Sequence, residues 1–180
     1  MSDGLERLNA LDGGDAEAEL LKCCGSTAWA GAMVARRPFA DLAELLSAAD
    51  EVWWGLGAAD WAEAFASHPK IGERKAARAQ AAQAAAWSAQ EQAGTRAAEQ
   101  ATLDALAEAN RAYEEKFGRI FIVCATGLTA AQVLAALRAR LPNDPGTELR
   151  NAADEQRKIT RLRLEKLLTQ ESGVRSQKPE

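Results

Sequence analysis

Alanine dominates this chain and limits what it can fold into. The 180 residues include 41 alanines, whereas valine, isoleucine and threonine are sparse and only 6% of residues are aromatic. Alanine is the strongest helix former, and strands favour β-branched and aromatic side chains. One strand-like run, Ile120 to Ala125, has no second such run to pair with. The sequence therefore predicts an all-α fold, a bundle of about seven to nine helices without a sheet.

Length and composition favour one ordinary globular domain. Hydrophobic residues make up 47% of the chain and charged residues 27%, which excludes a disordered or fibrous protein. A chain of this length buries about 70% of its unfolded surface without disulfides or metals. We expect a single domain over residues 1–170 and a frayed tail over 171–180, where the helical periodicity is lost.

The net charge, the apolar runs and the cysteines indicate which partners, cofactors and cellular compartment to expect. The net charge of -4 provides no field to attract a phosphate backbone, so a nucleic-acid partner is not expected. The chain has no run of 18 apolar residues and no signal-peptide pattern at its start, which predicts no membrane partner and a cytoplasmic location. Cys23, Cys24 and Cys124 show no metal-ligand spacing and are expected to be small buried side chains. With one histidine in the chain, we expect neither a metal nor a cofactor.

Capping residues and apolar spacing mark the helices. The candidate N-caps are Asp15, Ser26, Asp41, Asp60 and Thr129, each placed before a helical apolar pattern. A long helix is predicted to end at Gly118, with these residues facing inward: Leu103, Leu106, Asn110, Tyr113 and Phe117. The last helix begins at Asp144-Pro145 and is predicted to bury Leu149, Ala152, Ala153, Gln156, Ile159, Arg163 and Leu167. Residues 73–86 have no apolar side chain larger than alanine and are expected to be a weakly packed connector.

Three places in the sequence carry side chains suited to chemistry. His68 precedes a proline at a helix end, and an imidazole with its ordinary pKa of about 6.5 can both accept and donate a proton near neutrality. Ser88, Glu91 and Gln92 fall within about 100° of one helix face and can point at one small volume. Arg163 lies on an inward stripe, where a guanidinium needs a partner such as a substrate carboxylate.

Each of these features also has an ordinary structural interpretation. A histidine at a helix end is frequently structural, and Ser88-x-x-Glu91 is also a capping box. Arg163 can instead pair with a structural carboxylate or extend to the rim. From these residues alone, a non-catalytic helical binding module is an alternative to an enzyme.

Together, these motifs resemble the OHCU decarboxylases of urate degradation. The blocks agree in order and spacing: His68-Pro-Lys-Ile-Gly-Glu73, Ser88-x-x-Glu91-Gln92-x-Gly94, Asn110-x-x-Tyr113-x-x-Lys116-Phe117-Gly118-x-x-Phe121 and Ile159-x-x-x-Arg163-Leu164. The resemblance covers residues from about Leu8 to Leu168.

The resemblance implies a cofactor-independent enzyme that converts 2-oxo-4-hydroxy-4-carboxy-5-ureidoimidazoline (OHCU) to (S)-allantoin. It implies that His68 is the catalytic acid and base, with Glu91 as the second catalytic candidate. The implied substrate-binding residues are Pro69, Ser88, Gln92, Ile120, Phe121, Ile122, Val123, Cys124, Ala125 and Arg163. A decarboxylase or hydrolase of a related ureido acid is the other enzymatic alternative. Since some members of the family form dimers, a homodimer is an expectation by analogy.

Overall fold

Eight helices account for most of the residues that the structure describes. The computed structural model describes residues 3–68 and 89–169, with side chains for all of these except 89–98. The helices are α1 Asp3–Ala10, α2 Gly13–Cys23, α3 Thr27–Ala35, α4 Leu42–Gly55, α5 Ala58–Ala66, α6 Ala89–Phe117, α7 Ala130–Arg140 and α8 Pro145–Thr169. Strands are absent from these ranges, and the predicted all-α fold is confirmed.

Three predicted caps begin their helices as expected. The Ser26 hydroxyl accepts a hydrogen bond from a backbone N–H of α3, and the Asp41 carboxylate does the same for α4. Thr129 and Gln132 form a reciprocal capping box at the start of α7. These bonds satisfy N–H groups that have no partner within the helix. Local sequence therefore fixes these three helix starts.

Two predicted helix starts were wrong. Asp12, rather than Asp15, caps α2, because its Oδ1 accepts the Asp15 backbone N–H at 2.8 Å. Helix α5 begins at Ala58, before Asp60, and Asp60 Oδ2 accepts the Gly57 backbone N–H at 3.1 Å. Acidic side chains are favoured both at the cap and within the first turn, so composition does not separate the two positions. Helix α1 lies in a segment for which the sequence predicts no helix.

The contacts divide the chain into two compact units. The first unit contains the chain up to Ala64 together with the part from Gln156 onward, and the second unit runs from Phe65 to Glu155. The single domain over 1–170 stays a prediction. The connector predicted over 73–86 and the tail predicted over 171–180 lie outside the described residues.

The first unit packs α1 to α4 against the C-terminal part of α8. Its buried side chains include Leu5, Leu8, Leu20, Trp29, Met33, Phe39, Leu45, Trp53, Trp61, Leu164 and Leu168. The Trp29 indole N–H donates to the Ala49 carbonyl at 3.1 Å, which satisfies a polar group inside this core. Arg7 donates to the Leu167 carbonyl at 3.1 Å and joins α1 to the end of α8.

Gly4 allows α1 to lie directly on the end of α8. A Cβ at this position would stand 2.1 Å from the Leu168 carbonyl oxygen. Because that neighbour is backbone, Gly4→Ala is expected to destabilise the protein by about 1–3 kcal/mol. Thermal unfolding checks this, with Gly31→Ala as the matched control, because a Cβ at Gly31 meets no atom within 4 Å. A Gly4→Ala protein as stable as the wild type would contradict the close contact.

The core of the second unit joins α6 to α7 and to the segment after α6. Its buried residues are Leu106, Tyr113, Phe117, Phe121, Val133, Leu134 and Leu137. The face predicted for α6 is confirmed, with Asn110 also buried and only Leu103 half-buried. Gly118 ends the helix at a φ of +66°, where a side chain would be strained.

The buried face of α8 differs from the predicted one. Ala152, Ala153 and Gln156 are buried as predicted, whereas Leu149, Ile159, Arg163 and Leu167 are only half-buried. The buried residues that the prediction omitted are Glu148, Thr160, Leu164 and Leu168. Together with Ala152 and Gln156 they follow one another at intervals of four, which places Arg163 beside the buried face rather than on it.

Candidate functional site

His68 lies just beyond the C-terminal end of α5, at a helix end as predicted. The helix ends at Ala66, and the His68 backbone N–H donates to the Phe65 carbonyl at 3.2 Å. The residue is half-buried. From such a position an imidazole can exchange protons with a bound molecule or with water.

Four other predicted site residues lie wholly or partly outside the described part of the chain. Pro69 and Ser88 are outside it. Glu91 and Gln92 belong to the first turn of α6, but their side chains are not among those described. The roles of these four residues stay predictions.

The segment from Ile120 to Ala125 has no regular secondary structure, and side chains hold its peptide groups. Arg140 Nη1 donates to the Ile122 carbonyl at 2.8 Å. Glu155 Oε2 accepts the Cys124 backbone N–H at 2.7 Å. A strand-like sequence without a partner strand needs such bonds, because buried peptide groups are costly when unsatisfied. The sequence indicated that the run has no partner strand but did not identify Arg140 or Glu155.

Burial varies along this segment, which begins with the half-buried Ile120. Phe121 and Ile122 are each 2% exposed, Val123 and Cys124 are half-buried, and Ala125 is exposed. Phe121 packs edge-on against Tyr113, with ring centroids 5.2 Å apart. Phe121 and Ile122 are thus part of the core, and the second half of the segment approaches the surface.

Arg140 is itself held by an ionised group inside the second unit. Glu148 is fully buried and accepts hydrogen bonds from Arg140 Nε at 2.9 Å, from Asn143 Nδ2 at 2.9 Å and from the Tyr113 hydroxyl. Burial alone would raise the pKa of Glu148, but the bonds from Arg140, Tyr113 and Asn143 outweigh it and lower the pKa below its usual value. The Arg140 guanidinium also lies 4.5 Å from the centre of the Phe121 ring. We call Tyr113, Arg140, Asn143 and Glu148 the Glu148 cluster.

Two residues of the longest motif block have structural roles. Burial and the hydrogen bond to Glu148 raise the pKa of Tyr113, so its hydroxyl is a neutral donor. Lys116 Nζ donates to the carbonyls of Leu141 and Asn143 at 2.7 and 2.8 Å. Tyr113 thus ties α6 to α8, and Lys116 ties α6 to the chain between α7 and α8. This part of the motif therefore supports the segment that follows Gly118.

Arg163 lies in the first unit and is half-buried. Its Nη1 donates to the Cys23 carbonyl at 3.4 Å, at the long end of hydrogen-bond distances. Arg161, two residues earlier, is engaged differently: it donates to Asp50 Oδ2 at 3.0 Å, and Arg157 donates to the same oxygen at 3.0 Å. Arg157 and Arg161 therefore both pair with Asp50, which indicates a structural role for these two arginines.

The family resemblance assigns His68, Glu91 and Arg163 to one site, and this assignment stays a prediction. His68 and Arg163 belong to different units, and the Glu91 side chain lies outside the described set. A groove of about 960 Å³ occurs in the first unit, lined by residues of α4 and by Arg161. Since this groove contains none of the predicted site residues, it is not the predicted substrate site.

Two of the three cysteines are buried, and the third is half-buried. Burial raises the pKa of Cys23 to about 12 and that of Cys24 to about 11. The prediction of buried cysteines is thus confirmed for these two, whereas Cys124 is more exposed than predicted.

In the folded protein we expect a thiol reagent at pH 8 to modify Cys124 and to leave Cys23 and Cys24 unmodified until denaturant is added, because the thiolate is the reactive form. Counting modified thiols by mass spectrometry checks this, with Cys124→Ser as the control. Rapid modification of the folded Cys124→Ser protein would contradict it.

Within the described ranges, no group of three or more His, Cys, Asp or Glu side chains is placed to hold a metal ion. The helices of these ranges also include none with the length and apolar character needed to cross a bilayer. The sequence predictions of no cofactor and no metal are left as predictions.

Comparison with known proteins gives a consistent result. The family model described as OHCU decarboxylase matches residues 9–165. The uric acid degradation bifunctional protein TTL of Arabidopsis thaliana is 37% identical over 162 residues, which are 89% of this chain and 50% of that protein. This chain therefore spans half the length of that relative. The 2-oxo-4-hydroxy-4-carboxy-5-ureidoimidazoline decarboxylase of Amia calva is 30% identical over 139 residues, 77% of this chain and 79% of that protein.

Two solved structures share the fold. An OHCU decarboxylase whose crystal structure was determined in the presence of (S)-allantoin is 39% identical, covers 84% of this chain and 98% of its own, and superposes with a TM-score of 0.69. An (S)-allantoin synthase is 19% identical, with 91% of this chain and 53% of that chain covered and a TM-score of 0.65. At 19% identity, the second structure supports the fold alone.

The all-α architecture and the match of the family model place this chain in a family of helical decarboxylases. More particularly, the chain belongs to the OHCU decarboxylase family, whose model spans residues 9–165. The family predicted from the sequence is confirmed.

Proposed function

We propose that this chain decarboxylates OHCU to (S)-allantoin in urate degradation without a cofactor. The observation that carries the proposal is the extent of the family match, because residues 9–165 include every candidate site residue from His68 to Arg163. The relative of known structure at 39% identity, determined in the presence of (S)-allantoin, supports the choice of product.

His68 is proposed to move the protons of this reaction. When the bond to the carboxylate breaks, CO2 leaves and the electron pair moves into the C=N or C=O system of the substrate itself. His68 first assists removal of a proton from the hydroxyl group or the ring of the substrate. It then delivers a proton to one face of the ring carbon, which fixes the handedness of the product. General acid and base assistance of this kind contributes about 10² to 10⁴ in rate.

The remaining candidate residues are proposed to bind and orient the substrate. Ser88, Glu91 and Gln92 offer a hydroxyl, a carboxylate and an amide to a ligand rich in N–H and C=O groups, and Glu91 is also proposed to act on the reacting atoms. Arg163 is proposed to bind the substrate carboxylate, since its one described hydrogen bond is long. The peptide groups of 120–125, together with Pro69, complete the site in this proposal, and Cys124 provides a half-buried surface there.

The deciding experiment generates OHCU from urate in the cuvette and follows allantoin by circular dichroism. The purified chain is expected to increase the rate of formation of one enantiomer, whereas the uncatalysed reaction lacks a chiral proton donor and yields both. A racemic product at the uncatalysed rate would overturn the proposed activity. Turnover of a related ureido acid in preference to OHCU would favour the alternative that the chain is a decarboxylase or hydrolase of that acid.

Two further predictions belong to this proposal. A cytoplasmic location agrees with three free thiols, two of which are buried. A homodimer is proposed by analogy with the family. Light scattering coupled to size-exclusion chromatography tests it, since the chain has a mass of 19.3 kDa.

A further inference from the structure

Glu155 lies outside the set of site residues that the family resemblance implies, yet it bonds directly to the candidate substrate segment. We propose that Glu155 is a positioning residue, which fixes the peptide groups on either side of Val123 so that they can bind an amide-rich substrate. The inference rests on the proposed function, because it assigns a role in that reaction.

The bond between Glu155 and the segment is long-range and charge-assisted. Glu155 Oε2 accepts the Cys124 backbone N–H at 2.7 Å, across 31 residues of sequence. Hydrogen bonds to an ionised acceptor are shorter than neutral ones and about twice as strong. Glu155 stands on α8, a helix of 25 residues, so its carboxylate is presented by a rigid element. The bond therefore holds an irregular segment to a fixed frame.

The side chain of Arg140 also bonds to this segment, at the peptide group that precedes the one bound by Glu155. Arg140 Nη1 donates to the Ile122 carbonyl at 2.8 Å. The Ile122 carbonyl belongs to the peptide group before Val123, and the Cys124 N–H belongs to the one after it. A cation thus fixes one of these groups and an anion fixes the other.

Because peptide groups are planar, these two bonds fix the directions of the Val123 N–H and C=O groups. In a trans peptide group the C=O and N–H point in opposite directions. The Val123 N–H therefore points away from Arg140, and the Val123 carbonyl points away from Glu155. One donor and one acceptor with fixed directions match the N–H and C=O groups of a ureido substituent. Val123 is half-buried, which places these groups close to the surface rather than deep in the core.

Glu155 is the better of the two anchors to test. Arg140 also pairs with the buried Glu148, so its removal disturbs the core of the second unit. Glu155 is half-buried, and glutamine in its place retains an oxygen that can accept the Cys124 N–H. Glu165, an exposed glutamate on the same helix, supplies the matched control.

The experiment compares Glu155→Ala, Glu155→Gln and Glu165→Ala with the wild type. Steady-state kinetics use OHCU generated in situ, at a temperature where circular dichroism shows each variant folded. Hydrogen exchange of the Cys124 amide reports on the bond itself. Glu155→Ala is expected to raise KM by about tenfold or more and to accelerate this exchange, because slight misplacement of a binding group costs up to about 10²-fold. Glu155→Gln is expected to recover most of the loss, and Glu165→Ala to behave as the wild type.

The possible failures are distinguishable. Faster exchange at Cys124 in Glu155→Ala with an unchanged KM shows a purely structural bond and overturns the inference alone. Equal damage in Glu155→Gln and Glu155→Ala also overturns it, because the accepting oxygen would not be what matters. A wild-type chain that does not turn over OHCU overturns the proposed function and this inference with it.

Discussion

His68→Asn is expected to lower kcat for allantoin formation by about 10² to 10⁴ and to leave the fold unchanged. Asparagine cannot exchange a proton near neutrality, so the step that protonates the ring carbon loses its donor. The fold is expected to persist, because the hydrogen bond described from His68 to Phe65 is made by the backbone N–H, which asparagine retains. Steady-state kinetics at saturating OHCU, with circular dichroism of the product, measure both rate and handedness.

The control for His68→Asn is a neighbouring change that disturbs the same helix end without removing the imidazole. Ser67 is exposed and directly precedes His68, so Ser67→Ala is expected to keep kcat within about twofold of the wild type. If His68→Asn retains full, stereospecific activity, His68 has no part in the proton transfer. If both variants lose activity equally, the helix end rather than the imidazole is what the reaction needs.

Helix boundaries with a local cause were accessible from the sequence. Ser26, Asp41 and Thr129 cap helices through bonds to residues three positions later, and Gly118 ends α6 through its own conformation. None of these features depends on distant parts of the chain. The all-α fold follows in the same way, since helix-forming residues fill the sequence and one strand-like run has no partner.

The buried face of α8 was not accessible in the same way. Apolar spacing favours Leu149 over Glu148, because burying a carboxylate is costly on its own. In the folded chain Glu148 is fully buried, since Tyr113, 35 residues earlier, and Arg140, eight residues earlier, both donate to it. A pattern read within one helix cannot include partners from two others.

In the candidate site too, features with a local cause were predicted and features that depend on distant residues were not. The position of His68 at a helix end was predicted from the proline that follows it, and the structure agrees. The partners of the 120–125 segment were not predicted, because Arg140 and Glu155 reach it from different helices. A charged residue facing an unpaired strand-like run is the signal that would have pointed to them.

Removing Glu148 is expected to cause a large loss of stability. Glu148→Ala leaves the Arg140 side chain, 14% exposed, without its carboxylate and leaves the Tyr113 hydroxyl without an acceptor. Breaking a buried ion pair from one side costs about 3–5 kcal/mol. For a chain of this size we expect the Tm to fall by about 10 °C, measured by calorimetry or circular dichroism. Glu165→Ala removes an exposed carboxylate of the same helix and is expected to change stability by less than about 0.5 kcal/mol.

The loss of stability in Glu148→Ala is expected to depend on pH, because it arises from the ionised carboxylate of Glu148. The pKa of Glu148 is lowered in the folded protein, whereas in the unfolded chain it takes its ordinary value of about 4.3. A group whose pKa is lower in the folded state contributes stability at pH values above its unfolded-state pKa. This contribution is lost as the pH falls through the folded-state pKa. The stability difference between wild type and Glu148→Ala is therefore expected to be constant from neutral pH down to about 5 and to shrink below about 4. A difference that does not shrink in acid would mean that the ionised carboxylate is not what holds the Glu148 cluster together.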